Sequence, residues 1–114
     1  MEKRKLGKSG IEVSVVGLGC NNFGAMRIDA SRKVVDAALE AGITLFDTAD
    51  VYGNQQSEVL LGQALGARRP QVIVATKFAM PMGMTVHDRG GSRRYVLAAV
   101  EASLRRLGTD YIDL

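Results

Sequence analysis

The regular alternation of short apolar runs with helical segments constrains the fold of this chain more than any other feature of its sequence. The apolar runs are Val15–Gly19, Ile43–Asp47, Gln71–Thr76 and Tyr111–Leu114. The segments in which apolar residues recur with helical spacing are 30–41, Ser57–Leu65 and the stretch from Ser92 to Leu107. Strands that alternate with helices pair in parallel through right-handed crossovers. The sequence therefore predicts an α/β fold with a parallel sheet.

Signals at the ends of these segments support the same assignment. A glycine follows each predicted helix, at positions 42, 66 and 108, and Asp29 and Ser92 are the expected N-caps. Ahead of the alternation, Arg4–Leu6 and Ile11–Val13 flank a glycine-rich turn and predict a β-hairpin. Residues 78–91 are rich in Gly, Met and Pro and are predicted to form a loop.

Two architectures fit this pattern: an open doubly wound sheet and part of an eight-stranded barrel. A complete barrel needs roughly 250 residues. The chain has 114 residues, enough for one small domain or for about half of a barrel. Hydrophobic residues make up 46% and charged residues 24%, an ordinary composition for a globular protein.

The charge pattern argues against several classes of partner. The net charge of +3 comes from scattered basic residues, and no RNA- or DNA-binding motif accompanies them. No apolar run is long enough to span a membrane, and Glu12 interrupts the apolar stretch behind the charged start, which argues against a signal peptide. We therefore expect a cytoplasmic protein that binds neither nucleic acid nor membranes.

Several common site motifs are incomplete. Cys20 is the single cysteine and His87 the single histidine, so neither an intrachain disulfide nor a Cys/His metal cluster is expected. Gly17-Leu18-Gly19 begins a dinucleotide-binding fingerprint, but Asn22 stands where the third glycine is required. Gly7-Lys8-Ser9 resembles the end of a P-loop, but Glu2 occupies the position of the leading glycine.

The informative set is Asp47, Tyr52 and Lys77. Asp47 and Lys77 end neighbouring predicted strands, and Tyr52 lies in the loop just after Asp47. Parallel neighbours lie ~4.8 Å apart and finish at the same edge, where α/β proteins place their chemistry. We therefore expect the three side chains to lie close together.

Such a trio is suited to general acid catalysis. A free phenol has a pKa near ~10 and is a poor proton donor at neutral pH, but a nearby ammonium stabilises the phenolate. A carboxylate beside the ammonium keeps it charged and fixes its position. The result is a donor that protonates an oxygen as a hydride reaches the adjacent carbon. On residue types alone, a structural ion pair beside a surface tyrosine is the other interpretation.

Ordered motifs along nearly the whole chain resemble those of the aldo-keto reductases. The matching segments are Arg4-Lys5-Leu6-Gly7-Lys8-Ser9-Gly10, Val16-Gly17-Leu18-Gly19, Phe46-Asp47-Thr48-Ala49-Asp50-Val51-Tyr52-Gly53, Ser57-Glu58-Val59-Leu60-Leu61-Gly62, Ala75-Thr76-Lys77 and Ser103-Leu104-Arg105-Arg106-Leu107-Gly108-Thr109-Asp110-Tyr111-Ile112-Asp113-Leu114. The resemblance implies a (β/α)8 TIM barrel whose bottom is closed by the N-terminal hairpin. Residues 1–114 would be a single N-terminal half of it.

The resemblance also implies an activity: an oxidoreductase that reduces aldehydes or ketones to alcohols with NADPH and without a metal. By the family pattern, Tyr52 is the general acid, Lys77 makes it more acidic, and Asp47 pairs with Lys77. Gly19, Cys20 and Asn21, together with Asp47, are expected to contact the nicotinamide end of the cofactor. The substrate class is a small carbonyl compound, and the sequence identifies no member of it.

Several alternatives stay open at this point. The family's catalytic histidine normally follows the Tyr-Ile-Asp-Leu strand, beyond Leu114, and the loop residue His87 does not replace it. His87 is either solvated or part of a substrate pocket, and Met80, Met82 and Met84 either line that pocket or pack the rim. Some relatives are non-catalytic nucleotide-binding or channel-regulatory subunits, which is the alternative function. Unpaired barrel edges predict that the isolated chain is unstable or self-associates.

Overall fold

The computed structural model describes all residues from 1 to 114. The chain begins with an antiparallel hairpin of β1 (Lys3–Lys5) and β2 (Glu12–Ser14), with Lys3 opposite Ser14. The predicted hairpin is confirmed, with each strand shifted by one residue. Reciprocal hydrogen bonds dock it, because the N–H of Ser14 donates to Thr44 Oγ1 at 3.0 Å and the N–H of Thr44 donates to Ser14 Oγ at 2.9 Å.

Three short parallel strands form the main sheet. They are β3 (Gly17–Gly19), β4 (Leu45–Asp47) and β5 (Ile73–Ala75), in the spatial order β3-β4-β5. The register pairs Gly19 with Asp47 and Asp47 with Ala75, so all three strands finish at one edge. Thr44 immediately precedes β4, and the hairpin therefore covers the opposite, amino-terminal end of the sheet.

Three helices connect and cover these strands. They are α1 (Ile28–Glu40), α2 (Gln56–Leu65) and α3 (Arg93–Leu107). α2 packs between α1 and α3. The core lies between the helices and the sheet, where Phe46 and Val74 of the strands meet Val35 and Leu61 of the helices without solvent exposure.

The caps at the helix ends differ from one helix to the next. The Ser92 hydroxyl accepts from the Tyr95 N–H at 3.2 Å, as the sequence predicts, and Gly108 ends α3 in a left-handed conformation (φ 63°). α1 instead begins two residues early, at Ile28, with Arg27 as a cap that makes no side-chain bond. The predicted N-cap Asp29 therefore lies within the first turn, where its charge faces the positive end of the helix dipole.

The sequence overestimates every strand of the sheet. β3 and β4 each begin two residues later than expected, at Gly17 and Leu45. Residues 66–71 form a 3₁₀ helix that contains Pro70, so the strand starts at Ile73 rather than at Gln71. Tyr111–Leu114 forms no regular strand, although the N–H of Leu114 donates to the Val74 carbonyl at 3.3 Å. The Leu114 carbonyl also accepts from the Thr76 N–H at 2.9 Å, as in a parallel ladder, whereas the Asp113 carboxylate accepts the Val74 N–H at 2.9 Å in place of a backbone carbonyl.

No helix in the structure has both the length and the apolar character needed to cross a membrane. The expected cytoplasmic location stays a prediction.

Candidate active site

Asp47, Tyr52 and Lys77 meet at the carboxyl edge of the sheet. The Lys77 Nζ lies 2.8 Å from both carboxylate oxygens of Asp47 and 3.4 Å from the hydroxyl of Tyr52. The same ammonium donates to the Thr48 carbonyl at 2.9 Å, so its position is fixed from several sides. The proximity expected from the sequence is confirmed, and the catalytic roles stay predictions.

Backbone hydrogen bonds beyond the strand ends create this convergence. The N–H of Thr48 donates to the Ala75 carbonyl at 2.9 Å, and the N–H of Asp50 donates to the Lys77 carbonyl at 3.1 Å. The pairing of β4 with β5 thus continues past both strands and keeps the two loops together. The chain then turns back, since the Tyr52 N–H donates to the Ala49 carbonyl at 3.3 Å.

The backbone next to the site adopts conformations that side chains disfavour. Asn54 and Gln55 have φ of 50° and 75°, and Ala79, two residues after Lys77, has φ of 95°. Non-glycine residues with positive φ are uncommon and concentrate at functional sites, where the surrounding structure holds them. These residues mark both loops of the trio as constrained by their surroundings.

The electrostatics keep the ammonium charged. Burial alone would lower the pKa of Lys77, but its hydrogen bonds to Asp47 and Tyr52 outweigh burial and raise that pKa above its ordinary value. The side chains of Lys77 and Asp47 are 48% and 44% exposed. An ion pair this exposed adds only about 0–1 kcal/mol to stability, so its role is better sought in reactivity.

Two of the four residues expected beside the cofactor are exposed to solvent at the same edge. Gly19 and Asn21 are exposed, and a Cβ added to Gly19 would meet only the Asn21 Oδ1, at 3.8 Å. The absent side chain leaves open space beside Asp47, and the Asn21 amide offers both donors and an acceptor. These residues fit a planar amide-bearing group such as nicotinamide.

Cys20 lies between these two residues but turns its side chain into the core, and its contact with the cofactor stays a prediction. Its side chain has no exposure, its N–H donates to the Asp47 carbonyl at 2.8 Å, and its own carbonyl accepts from Ser57 Oγ at 2.6 Å. Burial, with the charge of Asp47, raises the pKa of the thiol to about 12. Cys20 is therefore a protonated core residue.

The loop 78–91 presents several side chains to solvent near Lys77. Met80 and Met84 are exposed, Met82 is partly buried, and His87 is exposed. Asp88 organises the loop tip by accepting from the Thr85 N–H at 2.9 Å and from its hydroxyl at 2.8 Å. The exposure of His87 agrees with the interpretation that it is a solvated loop residue. Met80 and Met84 are exposed too, so neither side chain packs the rim of the barrel.

Sequence reasoning assigned no role to several buried polar residues behind the trio. The hydroxyls of Thr48 and Ser57 share a hydrogen bond of 2.8 Å, and the Glu58 carboxylate accepts from Thr76 Oγ1 at 2.6 Å. Thr48, Ser57 and Glu58 are fully buried. Asp50 is 2% exposed, and its Oδ1 has no hydrogen-bond partner. Thr48, Asp50, Ser57 and Glu58 all lie within the matched motifs, which is the sequence signal that singles them out.

Comparisons with known proteins agree with this geometry. Residues 15–114 match the profile of the Aldo/keto reductase family. The chain is 41% identical over 116 aligned positions to the uncharacterized oxidoreductase YqkF of Bacillus subtilis (strain 168), covering 100% of this chain and 38% of that protein. It is also similar to the holo form of the aldo-keto reductase AKR11C1 from Bacillus halodurans, with a TM-score of 0.87 and 40% identity over 98% of this chain and 38% of that one.

These matches confirm the fold class expected from the resemblance. The AKR11C1 structure is a TIM barrel, and the parallel sheet with its helices matches part of it. The chain spans 38% of the length of each of these two relatives.

Proposed function

Since the chain belongs to the aldo-keto reductase family, we propose that it is the N-terminal part of an oxidoreductase barrel that reduces aldehydes or ketones to alcohols with NADPH. The observation that carries this proposal is the contact of the Lys77 ammonium with both Asp47 and Tyr52 at the carboxyl edge of the sheet. In barrels of this kind, chemistry takes place at that edge.

The trio supplies the proton that carbonyl reduction requires. NADPH, when bound, supplies a hydride to the carbonyl carbon, and the negative charge then develops on the carbonyl oxygen. The Tyr52 hydroxyl donates its proton to that oxygen. The Lys77 ammonium, 3.4 Å from the hydroxyl, stabilises the phenolate left behind.

Asp47 acts through Lys77 in this mechanism. Its two oxygens hold the ammonium at 2.8 Å each and keep it charged while the phenolate forms. Without the carboxylate, Lys77 would lose two of its hydrogen-bond acceptors and much of its fixed position. Asp47 is therefore proposed as a positioning residue for the proton donor.

The open edge beside the trio suits the nicotinamide of the cofactor. Gly19 and Asn21 are exposed there and would hold it, with Asp47 at the adjacent register position. The proposed substrate is a small carbonyl compound with an apolar part. Its support is the group of exposed apolar side chains in the neighbouring loop, which are Phe78 (42%), Met80 (58%), Val86 (77%) and Met84 (97%).

A binding titration combined with a turnover assay tests this function in the whole protein. NADPH and NADH are titrated separately by fluorescence, and oxidation of each is then followed with a panel of aldehydes and ketones. Saturable NADPH binding with turnover is the expected result. Binding without turnover would instead support a non-catalytic nucleotide-binding or channel-regulatory subunit, and no binding of either nucleotide would refute the proposal.

A further inference from the structure

Two loops of the site are joined by a buried chain of hydroxyl groups. The Ser57 hydroxyl donates to the Cys20 carbonyl at 2.6 Å, and Thr48 Oγ1 lies 2.8 Å from Ser57 Oγ. A hydroxyl has one hydrogen. Because that of Ser57 is used on Cys20, Thr48 must donate to Ser57. Thr48, Ser57 and Cys20 all have 0% exposure, so water does not compete for these bonds. We name the hydroxyls of Thr48 and Ser57, together with the Cys20 carbonyl, the hydroxyl chain.

Both ends of the hydroxyl chain are attached to the candidate site. At one end, the Thr48 carbonyl accepts from the Lys77 ammonium at 2.9 Å. At the other end, Cys20 lies between the exposed residues Gly19 and Asn21, and its N–H donates to the Asp47 carbonyl at 2.8 Å. The chain of bonds therefore runs from the proton-donating side of the site to its cofactor side.

A close contact between two glycines independently joins the same loops. A Cβ added to Gly24 would lie 2.2 Å from Gly53 Cα, and one added to Gly53 would lie 2.3 Å from Gly24 Cα. No side chain fits between backbones this close, and Gly53 (φ 57°) also has a left-handed conformation. Gly53 directly follows Tyr52, so this contact sets the distance of the tyrosine segment from the loop after β3.

We propose that Thr48 and Ser57 are positioning residues, whose hydroxyl chain holds the cofactor-side segment 19–21 in register with the proton donor Tyr52. This inference rests on the function proposed above and assigns a mechanical role to two residues that touch neither substrate nor cofactor. Proton donation and carbonyl attack must occur on one bound molecule, and a misplacement of about 1 Å costs roughly 100-fold in rate. The hydroxyl chain keeps the two halves of the site within that tolerance.

Matched substitutions separate the hydroxyl from the volume of each side chain. Thr48→Val removes the hydroxyl and keeps the shape, whereas Thr48→Ser keeps the hydroxyl and removes the methyl group. Ser57→Ala breaks the hydroxyl chain at its other member and remains informative if Thr48→Val folds poorly. All variants are made in the whole protein and are compared at a temperature where circular dichroism shows each to be folded.

The thiol of Cys20 reports whether the loop is still held. It is fully buried, and burial raises its pKa to about 12, so alkylation at pH 8 is slow while the loop stays in place. Iodoacetamide labelling of Cys20 is measured by peptide mass spectrometry without cofactor. We expect the rate to rise roughly 10-fold or more in Thr48→Val and Ser57→Ala as the loop opens locally, and to stay near the wild-type rate in Thr48→Ser.

Kinetics then distinguish positioning from simple structural support. We expect kcat to fall roughly 10- to 100-fold in Thr48→Val and Ser57→Ala, while the Kd for NADPH changes much less. Thr48→Ser should restore most of kcat. The double variant should lose no more than the worse single variant, because one chain can be broken only once.

Three results would overturn the inference: unchanged Cys20 labelling in both disrupted variants, faster labelling with unchanged kcat, or a loss in Thr48→Ser equal to that in Thr48→Val. A wild-type protein without any turnover would instead refute the proposed function. The labelling rates would still decide, in that case, whether the hydroxyl chain holds the loop.

Discussion

Replacing Glu58 with glutamine should destabilise the folded protein, because this carboxylate is buried and binds one charged and one hydroxyl partner from two other parts of the fold. Glu58 on α2 has no exposure, and its Oε2 lies 2.5 Å from the Nε of Arg106 on α3. Its Oε1 accepts from the hydroxyl of Thr76, the residue after β5, at 2.6 Å. The Arg106 side chain is only 17% exposed, so water cannot replace the lost partner fully.

The expected loss in the free energy of unfolding follows from the cost of leaving a buried charge without its partner. Removing one member of a buried ion pair costs about 3–5 kcal/mol. Glutamine keeps one oxygen acceptor, and the loss of its charge relieves repulsion on nearby Asp50, whose pKa is raised first by burial and then by Glu58. Both effects reduce the cost, so we expect the lower end of the range, about 3 kcal/mol.

Urea unfolding of the whole protein, followed by circular dichroism, measures this change. The midpoint should fall while the slope of the free energy of unfolding against urea stays constant. Glu12→Gln is the matched control, since Glu12 and Lys3 form a 4.0 Å pair with side chains 60% and 50% exposed, and it should cost less than about 1 kcal/mol. A Glu58→Gln variant as stable as this control would refute the reasoning.

Three further predictions concern stability and association. Ala79→Gly should stabilise the fold by roughly 1 kcal/mol in the same urea assay, because glycine relieves the strain at φ 95° and this gain exceeds the entropic cost of a more flexible unfolded chain. Equal or lower stability would argue against strain at this position. Asp50→Asn should melt at a higher temperature than the wild type at pH 7 but not at pH 3. Burial, and then the charge of Glu58, raise the pKa of the Asp50 carboxyl, so wild-type stability falls as the pH rises above the ordinary carboxyl range. Equal melting temperatures at pH 7 would contradict this sign. The isolated 114-residue chain should be unstable or associate through the outer edge of β3. Val15 and Val16, just before this strand, are 46% and 49% exposed. A stable monomer by light scattering would exclude both outcomes.

The parts of the fold that could be predicted follow from local periodicity and from one rule of parallel sheets. The alternation of apolar runs with helical segments predicted the order of strands and helices, and Ser92 with Gly108 marked both ends of α3. Parallel strands finish at a common edge, so Asp47 and Lys77 were expected to meet although 30 residues separate them. Those expectations depended on backbone geometry that every parallel sheet shares.

The remaining features depend on tertiary contacts that no local pattern encodes. The Asp113 carboxylate binds the Val74 N–H in place of a backbone carbonyl, a contact that its position in an apolar run does not indicate. The hydrogen bond between Thr48 and Ser57 depends on the packing of α2 behind the loop. Cys20 adjoins two exposed residues, and only its contacts with Asp47 and Ser57 show that it faces the core.

The most direct test of the central claim is carbonyl reduction by a Tyr52→Phe variant of the whole protein. Tyr111→Phe is the matched control, because Tyr111 is 41% exposed and stacks against Arg69, away from the trio. The account predicts that Tyr52→Phe lowers kcat by roughly 100- to 10,000-fold, the usual contribution of a general acid, with unchanged NADPH binding, while Tyr111→Phe keeps the wild-type rate. Retention of wild-type kcat by Tyr52→Phe would contradict the claim that this hydroxyl donates the proton.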